Sequence, residues 1–562
     1  MKVDRFYTLV LIFAALAFLL GTGAAAAKEG GKIVHDGEYN FLEAQYGEQW
    51  AKEDKEIDAK LAEIRDKNGG KRPNIFYILI DDVSFGQMGN RAMNYVTGIS
   101  TPRINKLAEE GVSLMRMYAE PSCTPTRAAF LTGRHPVRLG IKEVKVALVG
   151  EGLAKDEVTI AEVLSEAGYN TSHVGKWHQG DIEESFPHNQ GFDYAAFPAH
   201  QQVQLSLMSK EGAQSNNMLG WHHKTQSGAF ALDKRFKPYG LVTGLEAKKG
   251  ETAREVDLQP GEEWTQAHYI KMNERYQRQT LEQLQSLAKQ DKPFFLQYWP
   301  VIPLYNPRTT VDQYTTPNGG TFVESMKQLD GWIGEIMTEM DKLGIADNTV
   351  VVIMGDNGHF TKYSPGSGFT PMIYRGGKAD ATEGGVRVDA FVRWPNMIES
   401  DSVVADIVHV ADLFTSLARL GGGTDKIPTD RIIDGVDQTA LMLEGETHGR
   451  RDHVFIYSGN AMKAVVKEQY KLKVPKKGEN PIVAKFYDLF RDTREEYPVS
   501  TEVGAWGGAE FVRVINRHVK RKAKYPDEGP ATGRPYDGIE NLRPETKAAV
   551  EAFMFKQKAA QM

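Results

Sequence analysis

The chain has 562 residues, 41% of them hydrophobic and 25% charged, and a formal net charge of −6. That balance describes an ordinary globular protein and, with no basic excess, argues against nucleic acid as a partner. Cysteine occurs once, at Cys123, so no internal disulfide can form and the residue is either free or chemically changed.

Lys2 and Arg5 precede an apolar run from Phe6 to Leu20, followed by small residues ending in Ala25-Ala26-Ala27. Residues 1–27 read as a secretory signal peptide cut after Ala27; the rival is an uncleaved anchor, since 6–27 is long enough to span a bilayer. Either way the body is expected outside the cytoplasm, periplasmic or secreted, with no stable membrane insertion once the signal is removed. Residues 28–70 read as a helical arm: Trp50, Ile57, Leu61 and Ile64 share one face of a helix over Tyr39 to Asp66, and Gly69-Gly70 end it.

The stretch 71–440 alternates strand and helix. Asn74 to Ile80 is apolar without alternation, as in a parallel strand buried on both faces, and it runs into Asp81-Asp82. The same grammar recurs where Asn348 to Met354 runs into Gly355-Asp356-Asn357-Gly358. Ligands of open α/β sheets gather at the carboxyl ends of strands. There, three carboxylates and an amide offer the hard oxygen donors that Ca²⁺ or Mg²⁺ takes. Between them come helices near 101–110 and 158–166 and a strand over Gly111 to Tyr118. A further strand, Tyr169 to Val174, ends in Gly175-Lys176-Trp177-His178, with a cation and an imidazole two positions apart. Residues 200–264 are polar, glycine-rich and strand-poor, and read as a lid or surface insertion. Helices follow over Tyr269 to Lys289 and Phe322 to Leu343, and strands over Pro293 to Trp299 and Asp389 to Trp394. The glycine-rich loop 374–388 carries Lys378, which flexible backbone can bring against an anion. Residues 441–562 read as a small α+β subdomain with short alternating strands between His453 and Leu489 and a helix over Pro544 to Ala560.

Pro121-Ser-Cys-Thr-Pro-Thr-Arg127 ties these pieces together. Pro125 suits the first turn of a helix, which places Cys123 at a helix N-terminus where unpaired N–H groups favour an anion, with Arg127 one turn on.

With Thr132-Gly-Arg134, Gly175-Lys-Trp-His178, Gly355-Asp-Asn-Gly358, Gly377-Lys378, Glu383-Gly-Gly-Val-Arg387 and Tyr487-Asp-Leu489, the chain resembles the type I sulfatases of the alkaline phosphatase superfamily. The resemblance implies a large, mostly parallel α/β sheet sandwiched by helices, with a small C-terminal antiparallel sheet. It implies that Cys123 is converted to formylglycine by a maturation enzyme, and that Ca²⁺ is held by Asp81, Asp82, Asp356, Asn357 and the modified Cys123. Arg127, Lys176, His178 and Lys378 are then expected to be catalytic, Lys176, Lys378 and His200 to bind the ester, and His178 to act as the base. The family's histidine near the leaving group is absent, with Leu304 in its place, so Lys378 or His200 would protonate the alcohol, or a good phenolic leaving group would need little help. Asp193 is a looser candidate. The expected activity is hydrolysis of a small-molecule or glycan sulfate monoester. A phosphonate monoester or phosphodiester hydrolase of the same superfamily and a non-catalytic sulfate or glycan binder are the alternatives. The sequence fixes neither the alcohol nor the oligomeric state.

Overall fold

The computed structural model describes residues 31–145, 149–198, 243–258, 262, 266–302, 321–359, 373–475, 485–499 and 501–535, with isolated positions beyond 546. The expected signal peptide, His200, Leu304 and most of the helix expected over 544–560 lie outside them. The chain opens with the arm, α1 (Gly37–Lys67), then β1 (Asn74–Ile80), α2 (Pro102–Glu109), β2 (Val112–Tyr118) and α3 (Cys123–Thr132). Next come α4 (Ile160–Glu166), β3 (Asn170–Gly175), β4 (Tyr194–Phe197), β5 (Leu245–Lys248), β6 (Arg254–Glu255), α5 (Gln266–Leu287), β7 (Phe294–Trp299), α6 (Thr321–Lys342) and β8 (Thr349–Gly355). The main body closes with β9 (Arg387–Val388), β10 (Ala390–Arg393), β11 (Ser402–His409) and α7 (Asp412–Leu420).

The central sheet has eleven strands in the order β9-β2-β10-β8-β1-β7-β3-β4-β5-β6, with β11 paired to β2. Its middle, β8-β1-β7-β3-β4, is parallel; β10 on one side and β5 on the other run antiparallel to it, and β6 pairs antiparallel with β5. Parallel strands covered on both faces need apolar residues at every position, and β1 shows how they are used. Ile75, Tyr77 and Leu79 enter one core with Phe130, Leu164 and Phe414, from α3, α4 and α7. Phe76, Ile78 and Ile80 enter the other with Leu107 and with Met272, Leu329 and Ile333, from α2, α5 and α6. Within the interval read as a strand-poor lid or surface insertion, the described β5 and β6 extend the sheet edge, with Leu245 and Ala247 alternately buried.

The second sheet is a plain antiparallel meander of β12 (His453–Ser458), β13 (Ala461–Lys467), β14 (Tyr470–Lys473) and β15 (Lys485–Asp488). A helix that the sequence reading did not pick out, α8 (Thr501–Lys524), covers it with Phe511 and Val514 against Phe455 and Phe486. The arm also reaches α8, where Arg517 donates to Glu38 at 2.6 Å. Among the described residues no helix is long and apolar enough to cross a membrane.

The arm is integral to the fold, because Ile57 is fully buried and Asp54 binds both Arg419 and Arg450. Ile57→Ala should therefore lower stability by about 2–5 kcal/mol through lost transfer energy and the cavity left behind. Denaturant unfolding checks this; a loss under about 0.5 kcal/mol, the scale of a surface change, would mean that the arm only rests on the surface.

Candidate active site

Strands β1 and β8 are neighbours with Ile80 opposite Gly355, so their ends set Asp81-Asp82 beside Asp356-Asn357. The Asp356 N–H donates to Ile80 O at 2.9 Å, and the Asp82 N–H to Asp356 Oδ1 at 2.9 Å. Asp82 takes a left-handed φ of 55°, uncommon for a side-chain-bearing residue and characteristic of tightly held sites. All four residues are buried. Asn357 Nδ2 donates to Asp82 Oδ1 at 2.6 Å and to Gly358 O at 2.8 Å, which fixes its amide and leaves Oδ1 without a partner. Asp81 Oδ2 is equally unpaired. Two buried oxygens with no hydrogen-bond donor, flanked by further carboxylates, fit a hard cation. One donor atom from each of Asp81, Asp356 and Cys123 falls within 4.8 Å of the others.

Three cations reach these acids from three other elements. Helix α3 begins at Cys123 after the extended Ser122 and ends on the left-handed Gly133, φ 67°. One turn in, Arg127 Nη2 donates to Asp81 at 3.1 Å and to Asp356 at 2.8 Å, Nη1 donates to the Lys176 carbonyl at 3.2 Å, and the guanidinium lies 4.8 Å from the Trp299 ring centroid. The end of β3 supplies Lys176, whose Nζ is 2.6 Å from Asp81 Oδ1. Gly175 makes that approach possible: its φ is 108°, and a Cβ there would meet the Trp299 carbonyl oxygen at 2.0 Å. The glycine-rich loop supplies Lys378, 2.7 Å from Asp82 Oδ1 and 2.8 Å from Cys123 Sγ.

Burial raises the Asp81 carboxyl, but Lys176, Lys378 and Arg127 outweigh it and hold the group well below the usual carboxylate range. Asp356 is pushed the other way, first by burial and then by the charge on Asp81. The pair thus holds a proton more readily than two charges until a cation arrives. Burial also pushes the Cys123 thiol up to about 12, against the pull of Lys176 and Lys378. For Lys378 the charges of Asp82 and its neighbours overcome burial and keep the ammonium protonated. His178 is buried, and its Nε2 sits 2.8 Å from the Lys145 carbonyl. A carbonyl only accepts, so Nε2 carries the proton and Nδ1, which has no partner, is left as the basic nitrogen. Burial, then the Lys176 charge, depress its pKa.

Asp193 is not part of this cluster. Its carboxylate accepts from the N–H and hydroxyl of Thr171, at the opposite end of β3 from Lys176.

Sequence reasoning missed the residues that hold these groups in place. Asp389 accepts from the N–H groups of Gly86, Gln87 and Met88, bracing the turn after Asp82. Glu383 accepts from Lys471 at 3.0 Å and Tyr118 at 2.9 Å, and Glu495 accepts from Lys471 at 2.9 Å and from the Glu383 N–H at 2.6 Å. Behind Cys123, Glu120 lies 3.2 Å from His135 Nδ1 and 3.5 Å from His409 Nε2. Because His409 Nδ1 accepts the Ala411 N–H, Nε2 bears the proton, so this trio is a hydrogen-bonded network and not a ready-made metal site. None of these partners announces itself in sequence, apart from the Glu383-Gly-Gly-Val-Arg387 motif.

The sulfatase family profile matches residues 73–423. Steryl-sulfatase of Rattus norvegicus is 32% identical over 450 residues, covering 70% of this chain and 74% of that protein. N-acetylgalactosamine-6-sulfatase of Mus musculus is 29% identical over 412 residues, 71% of each. The solved PsFucS1 sulfatase from Pseudoalteromonas sp. superposes with a TM-score of 0.73 at 25% identity, covering 85% of this chain and 96% of that one. The profile takes in more than half of the chain, from the residue before β1 to just past α7, and every described candidate residue falls within it: the chain belongs to the sulfatase family, a sulfuric ester hydrolase on the alkaline-phosphatase-like fold.

Proposed function

We propose that this sulfatase works through Cys123 converted to formylglycine, with a calcium ion held by Asp81, Asp82, Asp356 and Asn357. The observation that carries the reading is Lys378, whose ammonium touches both Asp82 and Cys123 Sγ and so joins the nucleophile position to the acid cluster. The hydrated aldehyde would supply a neutral oxygen nucleophile with a second hydroxyl for release of sulfate, and the Sγ marks where those oxygens would sit. Bound Ca²⁺ would supply positive charge to the ester oxygens and lower the repulsion that protects them.

The chain's own residues divide the remaining work. Arg127 donates through Nη1 and Nη2 to Asp81, Asp356 and the Lys176 carbonyl, so its first role is to position the acids. Lys176 and Lys378 face the anion as point charges. His178 accepts a proton at Nδ1. Lys378, 2.8 Å from Cys123 Sγ, would protonate the leaving alcohol, and a phenol, which departs as a stable anion, would need little help. A phosphonate or phosphodiester substrate is not favoured, since relatives near 30% identity are named as sulfatases. Residues 1–27 direct export, and a formylglycine-generating enzyme acts on the chain before Cys123 is buried.

Three outcomes follow. Protein from a host competent for maturation should show, at the Cys123 peptide, the mass deficit of an aldehyde in place of a thiol. Cys123→Ser should there lose at least about a thousandfold in sustained turnover of an aryl sulfate; normal hydrolysis by protein whose mass still shows a free thiol would sink the mechanism. Chelation should cost several kcal/mol of transition-state stabilisation, at least about a hundredfold in rate. Added Ca²⁺ should restore the chelated wild type but not Asp81→Asn. Third, His178 must be unprotonated to act as the base, and its pKa is lowered well below 6.5. The acid limb of kcat in metal-loaded enzyme should therefore fall below the ordinary histidine range and vanish in His178→Ala; a limb at or above that range assigns the base elsewhere.

A further inference from the structure

A cavity of about 600 Å³ opens between the start of α3 and the turn joining β12 to β13. Pro121, Pro125, Val137 and Val144 form much of its wall, Tyr457 faces them, and Lys378 closes the end nearest Cys123. The Ala379 N–H donates to the Pro121 carbonyl at 2.6 Å, so the Lys378 loop and the turn before Cys123 form one continuous wall. Since Lys378 Nζ lies 2.8 Å from Cys123 Sγ, the cavity begins one side chain away from the nucleophile position. Its size suits a ring system of one to three fused rings.

Several of the polar groups facing this space are committed already, though Ser122 and Ser458 also line it. The Tyr457 hydroxyl is 2.6 Å from His518 Nε2. The Glu120 carboxylate is taken by His135 and His409. Lys378 is held by Asp82. Lys142 and Glu143 belong to the less buried segment at the rim. A sugar entering here would strip water from several hydroxyls and find few partners for them, whereas an apolar ring would lose nothing and gain the proline, valine and tyrosine surfaces.

We propose that this cavity receives the alcohol part of the ester and selects an apolar ring, an aryl or fused-ring alcohol, over a polyhydroxylated sugar. The inference rests on the reading of Cys123 as the nucleophile position. It places part of the specificity in the β12–β13 turn of the small sheet, outside the strand ends that hold the sulfate.

The test uses aldehyde-bearing, calcium-loaded protein with 2-naphthyl sulfate and N-acetylglucosamine 6-sulfate as substrates and inorganic sulfate as an inhibitor. Val144→Arg and Ser458→Trp fill the cavity from opposite walls at half-buried positions, where folding is least at risk. Wild type should favour the naphthyl ester by at least about tenfold in kcat/KM, and each variant should raise its KM by at least about tenfold. kcat should change little, and the inhibition constant of inorganic sulfate, which reads only the sulfate cradle, should stay the same. A preference for the sugar ester, or a naphthyl KM unmoved in both variants, would overturn the proposal. Binding of 2-naphthol alone, followed by calorimetry, separates this idea from the nucleophile reading because it needs no chemistry at Cys123. If turnover fails but wild type binds 2-naphthol and Ser458→Trp does not, the nucleophile reading falls and the cavity assignment stands. Equal binding by the two overturns the cavity assignment.

Discussion

Three carboxylates held out of water at the ends of two adjacent strands repel one another, and the rest of the site exists to offset that repulsion. Sheet register puts Asp81 and Asp82 beside Asp356, so the chain cannot fold its central strands without creating the problem. Arg127, Lys176 and Lys378 answer it, one from the helix that begins at Cys123, one from a neighbouring strand end and one from a distant glycine-rich loop. With one proton held between Asp81 and Asp356, two negative charges meet three positive ones, and each buried charge has a partner without which low dielectric would not tolerate it. A divalent cation that displaced this proton would leave the cluster with two positive charges in all, a stronger receptor for anions.

The same constraint explains why the small sheet belongs to the active site. Lys378 is useful only if its loop is rigid, and a loop this rich in glycine is not rigid by itself. Its far end is held through Glu383 by Lys471 on β14 and by Glu495 just beyond β15, all buried. The meander therefore acts on the site from a distance, by fixing where one ammonium can stand. It also supplies Tyr457 to the wall of the neighbouring cavity.

Much of this was legible in the sequence, because the central strands are buried on both faces and their uninterrupted apolar runs are hard to mistake. Elements 74–80, 294–299 and 349–355 match the expected strands to within a residue or two, and Met326, Leu329, Ile333, Ile336 and Met340 all face the core as their spacing requires. The acids were readable as strand-end residues for the same reason. What sequence could not give is pairing: nothing local says that Glu383 meets Lys471, or that Asp389 holds the turn at 86–88, since those contacts are made only when the tertiary fold closes. Helix α8 was overlooked despite Phe511, Val514 and His518 at helical spacing. Its glycines and basic end mask the apolar stripe that covers the small sheet. Asp193, a loose candidate in sequence, serves the other end of β3 through Thr171.

The charge balance also bears on the proposal that Cys123 is altered before it serves as the nucleophile. A thiolate there would add another negative charge beside Asp81 and Asp356, and although Lys176 and Lys378 lie close, burial first and then those carboxylates push the thiol up to about 12. At neutral pH it is protonated and a poor nucleophile. A neutral oxygen nucleophile in the same place carries no resting charge and escapes that penalty, ionising only as its proton is taken. His178, kept unprotonated by burial and by the Lys176 charge, is suited to take it. The electrostatics that make a free cysteine inert at this position are the ones that make an aldehyde hydrate workable.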